Sequence, residues 1–378
     1  MVNGIYDVII VGLGAMGSSA ACNLAQRKQK ILGIDRFTPP HAMGSSHGQT
    51  RIIREAYFEG PQYVSIIQKA YENWEKLEQD SGQQLYVKTG GLMIGYPDSD
   101  LVKGALLSAT THKLSHEIFD STEIKKRYPA FNPDDKMIAL YETRAGILFP
   151  EKCIIANLTI AEKHGSSFNY DENVTGWRSA GDILYIKTNK QEYQTRNLLV
   201  TAGAWLKQLF PELQLPLSVE RQVLYWFDPF EKAEYFKKEL FPINIWAYGS
   251  NKNFYSFPDM GQGIKVAIHH EGEITEPDLI DRKVHEKEII KMRSILQRFI
   301  PRANGKLRAA EVCMYTNTAD SHFLISQHPD HRNILTASIC SGHGFKFASA
   351  FGEILTDIIL ENRSAFDLSL FGYIKGRS

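Results

Sequence analysis

Asp7-Val-Ile-Ile-Val-Gly-Leu-Gly-Ala-Met-Gly17 is the stretch that decides the fold. Its first five residues open a continuous, β-branched apolar run, as expected of a parallel strand covered on both faces. Gly12, Gly14 and Gly17 then carry the G-x-G-x-x-G spacing into a helix that runs to about Gln26. The first glycine permits a tight turn and the second lets backbone N–H groups approach a pyrophosphate at the helix N-terminus. The third lets helix and strand pack closely. A second apolar strand, Ile31 to Ile34, ends in Asp35, roughly 20 residues downstream, where a carboxylate bonds a ribose hydroxyl. Strand, turn, helix, strand and terminal acid together read as a dinucleotide-binding βαβ unit. The acid disfavours a 2′-phosphate, so NADP is not expected while FAD and NAD stay open.

Beyond this unit, Gly44-Ser-Ser-His-Gly-Gln-Thr-Arg-Ile-Ile-Arg54 opens a polar connection reaching about Glu59, of the kind that covers a ligand. Arg51 and Arg54, three apart, share a face if this segment is helical. An amphipathic helix is expected from about Tyr63 to Gln79. Leu184 to Lys187 and Tyr193 to Leu198 read as strands, and Asn197 to Trp205 carries an apolar strand into a glycine turn. Strands dominate from Val219 to His269. Alternation within them puts Ile264, Val266 and Ile268 on one face, and Lys265, Ala267 and His269 on the other. Asp281 to Phe299 reads as a helix, Asn333 to Ala337 as a strand, Ser341 to Gly344 as a turn, and Ala348 to Leu360 as a closing helix. The late strand and its turn, which carries Gly342 and Gly344, favour FAD, because a flavin must be held at its ring end as well as its adenosine end. No second pyrophosphate fingerprint follows. That argues against a protein binding both FAD and NAD(P)H, and leaves oxygen or another protein as the electron acceptor.

Composition bounds the remainder. With 378 residues, 43% of them hydrophobic and 23% charged, the chain is long enough for a large core and more than one domain. Lys plus Arg and Asp plus Glu are balanced at 43 each, so no overall field favours nucleic acid or an anionic membrane. Cys22, Cys153, Cys313 and Cys340 are too few and scattered for a disulfide framework, and none forms a C-x-x-C pair; reduced thiols, and no metal site, are expected. The start lacks a basic n-region and its apolar run breaks at Gly12, so a cytoplasmic protein without a signal peptide or membrane span is expected.

The layout is that of an α/β protein with a discontinuous, Rossmann-like nucleotide domain and a second, antiparallel-sheet domain inserted in it. The expected division gives 1–85, 146–212 and 307–378 to the first, and 86–145 and 213–306 to the second.

Several separated motifs in one order carry a resemblance to a known family. They are Pro39-Pro-His41, Gly48-Gln-Thr-Arg-Ile-Ile-Arg54, Thr89-Gly-Gly91, Ala202-Gly-Ala-Trp205, Arg221-Gln-Val223, Tyr255-Ser-Phe-Pro258, Val312-Cys-Met-Tyr-Thr316 and Ser341-Gly-His-Gly-Phe-Lys-Phe347. From Asp7 to about Asp367 the chain resembles the monomeric sarcosine oxidase and N-methyltryptophan oxidase family. That resemblance implies a p-hydroxybenzoate hydroxylase-like FAD domain, of the glutathione-reductase-2 type, plus a substrate domain. It also implies monomers that oxidise a small N-substituted amino acid and reduce O2 to H2O2. By position it makes Cys313 the thioether link to the flavin 8α carbon. Arg51 falls against the flavin ring, Arg54 and Lys346 on the substrate carboxylate, and Lys265 where oxygen is reduced. His269 and Tyr255 fall on the substrate side of the ring, with His47 and Glu59 nearby. Departures remain: Ser46-His47-Gly48-Gln49 lacks one His and the acid of the family pattern His-His-Gly-Asp. A rough count back from Tyr255 also sets Trp246 where the resembled sarcosine enzymes have a smaller pocket residue, Met, and an indole there would reshape the cavity. Two other readings stand beside this one: an FAD oxidase of primary or cyclic amino acids (D-amino acid, glycine or pipecolate type), and a noncatalytic or NAD-dependent nucleotide-binding protein.

Overall fold

The computed structural model describes residues 4–372. The outermost ends of the expected domain limits, 1–3 and 373–378, lie outside the described residues. Strand β1 (Tyr6–Val11) lies inside an eight-stranded sheet, parallel to β2 (Ile31–Ile34) on one side and to Glu192–Val200 on the other. Beyond these, also parallel, are Ser167–Asn169 and Ile334–Ser338. Start, middle and end of the chain thus meet in one sheet. Val8, Ile9 and Ile10 have no exposed surface, which is why their run does not alternate. Helix α1 (Ala15–Gln26) covers one face and packs against the helices Pro150–Lys163 and Ala348–Glu361.

The second sheet has nine strands. At its heart Ser218–Phe227 pairs antiparallel with both Ile264–His269 and Leu307–Asn317. Sequence position alone assigns 307–317 to the nucleotide domain; the structure differs. That strand bonds to Ser218–Phe227 along nearly its whole length, from Ser218 opposite Asn317 to Phe227 opposite Leu307. Hydrogen-bond pairing, not chain order, decides membership of a sheet.

The expected alternation in Ile264–His269 is present. Ile264, Val266 and Ile268 pack into one apolar core, and Ala267 into another cluster with Leu224, Trp226 and Cys313. The condition for Arg51 and Arg54 to share a face, a helical segment, is not met. Arg51–Ile53 is a short strand, β3, held in a three-stranded sheet with Gly146–Leu148 and Tyr86–Lys88. The two β-branched isoleucines suit that conformation. The helix expected from Asp281 begins at Glu286, because His285 and Glu288 form a capping box there. Among the described residues no helix is long and apolar enough to cross a membrane.

Candidate active site

The glycine turn after β1 is built for close approach. Gly12 has φ +91°, and a Cβ on Gly17 would stand 1.8 Å from the Gly12 carbonyl oxygen. Helix α1 is capped by Gly14, which offers no side chain, and has no acid in its first turn, so its leading N–H groups stay available to an anion. Asp35, buried at the end of β2, accepts hydrogen bonds from the N–H groups of Leu13 (2.7 Å) and Phe37 (2.9 Å). A pyrophosphate-bearing nucleotide fits this cradle. Gly17→Ala is expected to cost about 1–3 kcal/mol from overpacking. It should lower both the melting temperature and the flavin content of the purified protein, measured by thermal melt and absorbance.

From this turn a cavity of about 520 Å³ runs between the two large sheets. Gly12, Gly14 and Asp35 line it, as do Arg51, Arg54, Tyr255, His269, Cys313, Gly342, Gly344 and Lys346. Residues that lie far apart in the sequence, with a nucleotide turn and a cluster of basic groups among them, therefore share one cleft.

Arg54 and Lys346 are buried and Arg51 is half-buried, and each is held differently. Arg54, 1% exposed, donates from Nη1 to the Ala56 carbonyl (2.9 Å) and from Nη2 to Glu59 (2.6 Å). The rings of Tyr57 and Phe58 stand 4.3 and 4.7 Å from its Cζ. Its Nε is buried and has no partner among the described residues. Lys346 donates to the His343 carbonyl at 2.6 Å; burial, with Arg54 adding to it, brings its pKa down to about 7. Burial raises the Glu59 carboxyl, but Arg54, His343 and Lys346 outweigh that and hold it at about 2. Arg51 points elsewhere: it donates to the Ser45 carbonyl (2.7 Å), with Nη2 4.0 Å from Cys313 Sγ. The two arginines thus serve different parts of the cavity, as their non-helical backbone requires.

Lys265 is not on the cavity wall but just behind it, beside Arg51 and Phe257, which are. Its Nζ donates to Gly48 O (2.6 Å), Thr50 O (2.9 Å) and Thr50 Oγ1 (3.1 Å), one acceptor for each N–H of an ammonium. Gly48, at φ +91°, turns its carbonyl to that ammonium, and a Cβ there would stand 2.5 Å from Leu224. Burial, then Arg51, pushes the Lys265 pKa well below its ordinary value.

Burial raises the Cys313 thiol, yet His47 and Arg51 outweigh that and bring it down to about 7. His47 sits beneath the wall with neither ring nitrogen hydrogen-bonded among the described residues. Its Nδ1 is 3.5 Å from Glu311, a contact between charges rather than a formed hydrogen bond. Burial disfavours charge on His47, but Cys313 and Glu311 raise it to about 9. His269 is driven well below its ordinary pKa by burial, then by His270, and Tyr255 is raised by burial. Both are neutral at pH 7.

Trp246 does not belong to this site. It is fully buried in the core of the second sheet, stacked on Phe254 at 5.8 Å, with its indole N–H donated to Asn244. Ile245 lines the cavity instead, paired directly across the hairpin with Tyr255. Directly paired residues share a face of a sheet, and their neighbours take the other. Tyr315 also lines the cavity; two residues from Cys313 on one strand, it was open to discovery by alternation. Phe58 and Ser45 gave no such signal.

A family model described as FAD dependent oxidoreductase matches residues 7–358. The chain belongs to that family. The monomeric sarcosine oxidase of Streptomyces avermitilis is 40% identical to this FAD-dependent oxidoreductase over 370 residues, 97% of this chain and 96% of the relative. The N-methyl-L-tryptophan oxidase of Escherichia coli is 33% identical, over 97% of this chain and 98% of its own. Among solved structures, NikD, an amino acid oxidase of nikkomycin biosynthesis, superposes with a TM-score of 0.84 at 20% identity, covering 98% of both chains. Glycine oxidase from Geobacillus kaustophilus does so at 0.81 and 17%, covering 99% of both. These two likenesses concern the fold. A nucleotide-binding protein that is noncatalytic or takes only NAD is set aside by the family match.

Proposed function

We propose that this amine-oxidising flavoenzyme acts on the C–N bond of a secondary, N-methyl amino acid of the sarcosine or N-methyltryptophan kind. Oxygen is reduced to hydrogen peroxide, and the imine product hydrolyses to an amine and an aldehyde. The buried Nε of Arg54 carries this reading: it is a donor without an acceptor among the described residues, on a cavity wall that Lys346 shares. A carboxylate supplies what that donor lacks. The names of the relatives at 40% and 33% identity support the same substrate class.

FAD, when bound, accepts the hydride equivalent from the substrate and hands the electrons to oxygen. The protein's part is orientation and field. Arg54 and Lys346 grip the carboxylate, and this grip fixes the distance of the reacting C–H bond. Lys346, with its pKa near neutrality, regains its charge when the anion arrives. The substrate amine must be neutral to support the developing imine. Arg51 and Lys265 favour that form by like-charge repulsion, and neutral His269 adds no anion to oppose it. Cys313, as thiolate, is the proposed covalent link to the cofactor, with His47 and Arg51 stabilising its charge. Lys265 is the buried cation for oxygen reduction.

Incubation with sarcosine, N-methyltryptophan, pipecolate and D-alanine, following peroxide, tests the proposal. Peroxide from the first two supports it; peroxide only from pipecolate or D-alanine replaces it with a primary or cyclic amino acid oxidase. Arg54→Lys keeps a charge opposite Glu59 but loses the fork. It should raise KM for the amino acid about 10- to 100-fold, the worth of a charge-assisted hydrogen bond, in steady-state assays at fixed oxygen.

A further inference from the structure

We infer that Glu142, which touches no part of the cavity, is the residue that positions Arg54 to receive a substrate carboxylate. This rests on the role proposed above for Arg54. Glu142 ends the strand Ile138–Glu142 of the nine-stranded sheet and is 2% exposed. Its carboxylate accepts the N–H of Glu55 on one oxygen and the N–H of Ala56 on the other, both at 2.7 Å. These are the two residues that follow Arg54, and the Arg54 guanidinium donates back to the Ala56 carbonyl at 2.9 Å. One carboxylate therefore holds the N–H of the residue on whose carbonyl the guanidinium rests.

The turn beyond Glu142 grips the same loop a second time. Arg144 donates to the Glu55 carboxylate at 2.8 Å, and the Arg144 carbonyl is itself held by the hydroxyl of Tyr71 at 3.1 Å. The grip crosses from the second sheet to the segment that carries Arg54.

A buried carboxylate is costly without a partner, and among the described residues no cation stands within salt-bridge distance of Glu142. Burial raises its pKa to about 7, against the pull of the two N–H groups and of Arg54. A carboxylate can take one N–H on each of its two oxygens, as it does here. A glutamine has a single amide oxygen and would set its NH2 against the second donor. The charge thus answers a geometric need in the loop.

The test uses the FAD-loaded enzyme and Glu142→Gln, with Arg54→Lys alongside. KM for the amino acid, acetate affinity by calorimetry and the rate of flavin reoxidation by oxygen are measured in each. Glu142→Gln should weaken both amino acid and acetate binding about 10- to 100-fold, with reoxidation unchanged. Glu142→Asp, which keeps the charge but withdraws it by one methylene, should weaken binding less, and carries the test if the glutamine variant does not fold. Wild-type KM and acetate affinity in a folded Glu142 variant, while Arg54→Lys loses both, overturn the positioning role alone. No loss in Arg54→Lys overturns the reading of Arg54 and this inference with it. An equal fall in reoxidation marks a general structural role, and also overturns it.

Discussion

Cys313→Ala is expected to leave no flavin attached to the protein after acid precipitation. Four cysteines are present, and their surroundings separate them. Burial raises Cys22 to about 12 and pushes Cys153 and Cys340 upward, whereas His47 and Arg51 bring Cys313 down to about 7. The thiolate is the nucleophile, so at neutral pH only this sulfur is substantially ready to attack an electron-poor carbon. It also lines the cavity, among Leu224, Trp226 and Ala267. The native variant should still be yellow, because the glycine cradle and Asp35 do not depend on the sulfur. Its colour should pass entirely into the acid supernatant. Intact-protein mass spectrometry is the check: an FAD adduct retained in Cys313→Ala defeats the assignment.

Lys265→Met should slow reoxidation of reduced flavin by oxygen by about a thousandfold and affect reduction by substrate far less. A unit charge ~4 Å from a developing anion is worth ~4 kcal/mol at an effective dielectric of ~20, or about 10³ in rate. The cage of Gly48 and Thr50 oxygens holds the Lys265 nitrogen in position before any anion forms, so it need not move. Burial and Arg51 make that charge unfavourable in the resting protein, and a neighbouring anion relieves the cost. Methionine matches the length of lysine and removes the charge. Stopped-flow rates for the two half-reactions decide the matter: an equal fall in both counts against a role confined to oxygen.

Much of this molecule was legible in its amino acids. The opening βαβ unit read correctly because each mark in it has one physical meaning: an uninterrupted β-branched run, glycines where a Cβ collides, an acid at the strand end. The faces of Ile264–His269 followed from alternation alone. Trp246 was misplaced for an instructive reason. Counting back from Tyr255 assumes an unbroken alternation around the hairpin, but its register shifts between Ala247 and Gly249. A slip of one residue exchanges cavity for core. Arg51 and Arg54 would have shared a face only in a helix; the partner strand Gly146–Leu148, distant in sequence, makes the segment a strand instead. Glu142 carried no sign at all. A lone glutamate at the end of a strand looks like surface until its two N–H partners are known.

Strand Leu307–Asn317 belongs to the nine-stranded sheet, while the glycine turn belongs to the eight-stranded one. If flavin is bonded to Cys313 as proposed and cradled at Gly12, it would be a strut fastened into both halves of the molecule. The cofactor would brace the frame as well as do the chemistry, limiting how far the halves can swing apart.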